Sequence, residues 1–101
     1  MRNYFVVQTP DGYRTFINLA SVSDATYTPG SDAPESIRDV IDQAQNLFVI
    51  AMRQTVGSAR TQNFFWWQGM AADIVQADFM KAVRGNEPVT TVLLPAEDWR
   101  G

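Results

Sequence analysis

The sequence predicts an α+β domain in the order β-β-α-α-β, a small antiparallel sheet covered by an antiparallel helix pair. Three observations carry this expectation. A turn signal, Thr9-Pro10-Asp11-Gly12, separates two aromatic and β-branched segments. Apolar residues recur at helical spacing from Ile37 to Met52 and again from Ala71 to Val83. A β-branched segment, Pro88 to Leu94, then closes the pattern. A chain of 101 residues has room for one compact domain, so residues 1–101 are read as a single unit.

The hairpin is placed at 3–19. Pro10 presets the backbone for a turn, Asp11 tolerates the next position and Gly12 supplies a positive φ. Tyr4 and Val6 alternate with Phe5 and Val7, so both faces of the first strand are at least half apolar.

Residues 20–33 turn to Ser, Thr, Asp, Gly and Pro and read as a loop, with a short edge strand at Ala25 to Thr28 as the alternative. Asp32-Ala33-Pro34-Glu35 then resembles a helix start, in which Asp caps free N–H groups and Glu reaches back. The first helix is placed at 34–56 and is ended by Gly57. Its stripe is Ile37, Val40, Ile41, Ala44, Leu47, Phe48, Ala51 and Met52, yet Val49 and Ile50 fall on the opposite side.

A second helix is placed at 59–84, with Ala71, Ile74, Val75, Phe79, Ala82 and Val83 on one face. Phe64-Phe65-Trp66-Trp67 has strand propensity, but three of its four rings continue the later stripe, so one helix bent near Gly69 is preferred to a strand at 62–67. The last strand is placed at 88–94, followed by an acidic tail at 95–101.

Composition narrows the chemistry. The chain has no His and no Cys, which removes imidazole bases, thiolate nucleophiles and zinc sites of the usual kind. Net charge is −3, and the eight basic residues are scattered, so nucleic acid is a poor partner. The longest apolar run, Leu47 to Met52, is far short of a membrane span, and the first residues alternate like a strand rather than a signal core. Freedom from Cys favours the cytoplasm. Phosphate-cradling glycine motifs are absent, and no cofactor or metal is expected.

The expected function is a non-catalytic protein-binding module acting through an apolar and aromatic helical patch. Trp66 points away from the stripe that Trp67 joins, and an exposed Trp is a frequent interface anchor. Val49 and Ile50 place apolar surface where a helix should be solvated. Phe65 and Trp99 are rim candidates. A self-assembling accessory protein of a phage or mobile element and a small acidic inhibitor of a larger protein fit equally well. Partnership with another protein and homo-oligomer formation are both open.

The competing expectation is a small enzyme or ligand-binding domain with a pocket between sheet and helices. There Asp78, on the apolar side of its helix, is the acid or base, and Tyr13 or Tyr27 is the donor. The simpler account of Asp78 is an ion pair with Lys81. Glu35, Asp39 and Asp42 line one face of the first helix as solvated charge, and Arg53 and Arg60 bracket the turn between helices.

Overall fold

The computed structural model describes residues 3–85 and 87–94, with the backbone alone at 54–56, 60 and 61. The elements are β1 (Tyr4–Gln8), β2 (Arg14–Asn18), β3 (Val22–Pro29), β4 (Asn46–Val56), β5 (Ala59–Gln68), α1 (Gly69–Arg84) and β6 (Val89–Leu93). Short 3₁₀ turns occupy Leu19–Ser21, Gly30–Asp32 and Arg38–Val40. The strands form two three-stranded sheets, ordered β2-β1-β6 and β3-β4-β5. In the first, β1 pairs antiparallel with β2 and parallel with β6. The second is an antiparallel meander.

The expected β-β-α-α-β layout is therefore corrected: the described residues form one α-helix and two sheets of three strands each. The helix expected at 34–56 is an irregular segment followed by β4, and the helix expected at 59–84 is β5 followed by α1. The expected loop at 20–33 contains β3, an edge strand that covers the alternative placed at Ala25 to Thr28.

Burial on two sides explains why β4 carries a helix-like apolar pattern. β4 is the middle strand of its sheet, and Leu47, Phe48, Val49, Ile50 and Ala51 are all buried. Phe48 and Ile50 face α1 and the first sheet, while Leu47 and Val49 face Ala33 and Ile37. A strand covered on both faces loses its alternation, and its apolar run then has the same periodicity content as a helix. Gly57 ends no helix. With φ of 62° it occupies the first position of a two-residue loop, and Val56 pairs with Ala59 across it. That is the type II′ arrangement, which requires a positive φ at this place and suits a Gly-Ser loop.

Residues 30–45 form a closed cover over the outer face of the second sheet. Their ends meet so closely that a Cβ on buried Gly30 would lie 2.4 Å from the Gln45 carbonyl oxygen and 2.8 Å from that of Asp42. The Gln68 side chain pins the cover to β5, donating to the Asp42 carbonyl at 2.6 Å and accepting from the Asp42 N–H at 3.0 Å. Asp42 also accepts from the Ala44 N–H at 2.9 Å, a local bond that competes with helix formation.

α1 packs against both sheets through Ala71, Ala72, Val75, Phe79 and Ala82. The Phe79 ring meets Phe5 of the first sheet edge-on at 5.5 Å and Phe48 of the second at 5.6 Å. One side chain thus joins the two sheets. Lys81 and Arg84 in the last turn complement the helix dipole.

Candidate functional site

The sequence-predicted binding residues meet on the β4–β5 strand pair. Trp66 lies opposite Val49, and Phe65 opposite Ile50. Residues directly opposite in an antiparallel pair share a face, so these are two cross-strand pairs on opposite faces, not one helical patch. Val49 and Ile50 are 4% and 0% exposed and belong to the core, which corrects their placement on a binding surface. Phe65 packs partly buried against the main core. Trp66 is 38% exposed. Trp99 lies outside the described residues.

Trp66 sits on a strand that forms an edge of its sheet among the described residues. β5 pairs with β4 alone in the strand order, and the pairing keeps continuous register from Leu47–Gln68 to Val56–Ala59. The ten residues ARTQNFFWWQ include no proline and one charge, Arg60. The opposite edge of the same sheet is different. β3 carries a bulge between Val22 and Asp24, charged Asp24, and Pro29 at its end. Bulges, charges and prolines are the features that keep edge strands from pairing with other chains. β3 has them, and β5 nearly lacks them.

A second apolar surface is the outer face of the first sheet, where Phe16 (62% exposed), Val89 and Leu93 surround buried Val6. Arg14 there donates to Gln8 at 3.3 Å. Three strands of five residues cover roughly 14 by 17 Å, about 240 Å². A stable interface needs about 800 Å² per partner, so this face alone is too small.

Two hollows flank the second sheet. The larger, about 490 Å³, lies between Leu19–Ala25 and the α1 residues Phe79, Ala82 and Val83, with Asn3 at one side. The smaller, about 190 Å³, lies on the outer face, between β3, β4, Phe64 and the cover residues Asp32 and Pro34. Asp78 lines neither hollow; it stands 3.8 Å from Lys81, one turn on. Tyr13 is exposed next to the hairpin turn, and the Tyr27 hydroxyl donates to Asp73 of α1. The expected acid and donor do not assemble. Hydrogen bonding to Asp73, with some burial, raises the Tyr27 pKa above the ordinary phenol value.

Glu35 and Asp39 lie in the cover with Asp42 instead of along a helix, and Arg53 and Arg60 belong to the β4–β5 hairpin. Among the described residues, no three acidic side chains come together as metal ligands. Sequence reasoning missed Asp24, Thr26, Thr28 and Asp32, which ring the smaller hollow. Their signal was the alternation of Asp24, Thr26 and Thr28 with Ala25 and Tyr27, a strand with one polar face. No helix among the described residues is long and apolar enough to cross a membrane. In comparison with known proteins, the chain matches no family model, no curated protein and no solved structure.

Proposed function

We propose that this chain is a non-catalytic protein-binding module that self-assembles by pairing the β5 edges of two copies. The observation that carries the reading is the position of β5 at the edge of its sheet among the described strands, beside exposed Trp66. Backbone N–H and C=O groups along an unpaired edge template another strand, and pockets or exposed side chains beside it add specificity. Antiparallel pairing of two identical strands has a two-fold axis, so each contact is made twice. Phe64 and Phe65 stand near the middle of β5, and Arg60 stands near one end. A two-fold through the middle brings aromatic residues together and keeps the two Arg60 positions apart.

The test is a substitution on the exposed side of the edge. Trp66→Lys removes the ring and adds a charge that opposes edge pairing. Association is expected to be abolished, with an unchanged far-UV circular dichroism spectrum. Unaltered association in this variant contradicts the reading.

A further inference from the structure

The smaller hollow has a specific chemical character that is independent of the β5 edge. Val49, Ala51 and Phe64 contribute apolar surface from the second sheet, and Pro34 adds an apolar wall from the cover. The rim is polar: Asp24, Thr26 and Thr28 project from β3, and Asp32 from the cover. This placement follows from register, because Asp24, Thr26 and Thr28 pair with Ala51, Val49 and Leu47.

Among the described residues, neither rim carboxylate stands in an ion pair. Asp24 accepts from the Ala25 N–H at 2.9 Å and from the Thr26 hydroxyl at 3.4 Å, both neutral donors. No Lys or Arg among the described residues lines the hollow, and the ion pair seen among them is Lys81 with Asp78, on α1. Two carboxylates therefore stand at the mouth of an apolar hollow. Its volume is about 190 Å³.

We infer that this hollow binds an ammonium or guanidinium group carried on a short apolar stem. The methylenes of the stem cover Val49, Ala51 and Phe64, and the cationic head meets Asp24 and Asp32 at the rim. A lysine or arginine side chain of a polypeptide and a free alkylamine share this chemistry. A carboxylate of equal length is repelled, and an alcohol lacks the charge that the rim requires.

The test is an amide NMR titration of the whole chain at pH 7 with n-butylamine, n-butylguanidine, n-butanol and butyrate. The two cations are expected to give saturable shifts at the amides of Asp24 to Thr28, Asp32, Ala51 and Phe64. Butanol is expected to bind at least tenfold more weakly, and butyrate not at all over the same range. Asp24→Asn and Asp32→Asn are each expected to weaken butylamine at least threefold, with the spectra reporting an intact fold. Added salt should weaken the wild type in parallel, a result that needs no variant. A blocked Gly-Lys-Gly peptide that binds more tightly than butylamine assigns the polypeptide source, and the reverse order assigns the free amine. The inference is overturned if butanol matches butylamine, if the cations give no saturable shift at these amides, or if binding withstands both substitutions and salt.

Discussion

Ile50 shows how one position decides between surface and core. It is fully buried on the α1 side of β4, opposite Phe65. Ile50→Ala is expected to cost about 2–5 kcal/mol from lost burial and the residual cavity, read as a lower midpoint in urea. Ile50→Asp places an unpaired charge in the same position and is expected to leave the chain unfolded by circular dichroism. Trp66, two-fifths exposed on the other face, is expected to tolerate truncation far better. The sequence marked both residues as unusual because apolar surface stood where a helix needed polar surface. It did not reveal which was buried, since that depends on whether a second layer covers the far face.

Tyr27 provides the residue-scale prediction for pH. Its phenol donates to Asp73, accepts from Asn46 Nδ2 at 3.3 Å, and has its pKa raised, chiefly by the Asp73 bond. A raised folded-state pKa means that the neutral phenol is favoured by folding. The associated stability is fully present below the unfolded value near 10 and is lost as pH rises through the folded value. Phenolate absorbance is expected to show a late step in the wild type that disappears in Tyr27→Phe and moves to lower pH in Asp73→Asn. An unchanged titration in both variants would contradict the bond.

Among the elements, the cover over the second sheet depends on a backbone approach. Gly30→Ala puts a methyl group 2.4 Å from the Gln45 carbonyl oxygen, a distance that forces the backbone to move. A loss of about 1–3 kcal/mol is expected, as for other overpacking changes. Amide exchange should locate the loosening at residues 30–45 and at Leu47 and Val49 beneath them. The Asp32-to-Glu35 start signal was real local chemistry, but Asp42 and the paired amide of Gln68 hold this stretch in turns. β-Branched Ile37, Val40 and Ile41 lower its helix propensity further. The Gly57-Ser58 loop between two apolar runs was the legible sign of the β4–β5 hairpin. Helical spacing in the rings from Phe64 to Trp67 masked it. The N-terminal hairpin and α1 after Gly69 were easier to read, because each carries its own turn or face pattern within a short stretch.

At the scale of the molecule, cohesion of the two sheets runs through α1. Phe79 touches Phe5 and Phe48, and Phe48 in turn stacks on Trp67 at 6.3 Å. Phe79→Ala is expected to cost about 3–5 kcal/mol, a large share of the roughly 5–15 kcal/mol that holds a domain of this size. Calorimetry should show a drop in Tm of at least about 12 °C. Such coupling between distant segments leaves no local trace in sequence, and neither does the identity of an edge strand. β5 became an edge because β6 pairs with β1 in the other sheet.

The β5 edge is the basis of the proposed function, and molar mass in solution tests it most directly. Light scattering across a dilution series is expected to show a wild-type dimer that dissociates at low concentration, and a Trp66→Lys variant that is monomeric throughout. A wild-type monomer at every concentration up to the millimolar range would contradict self-assembly through this edge.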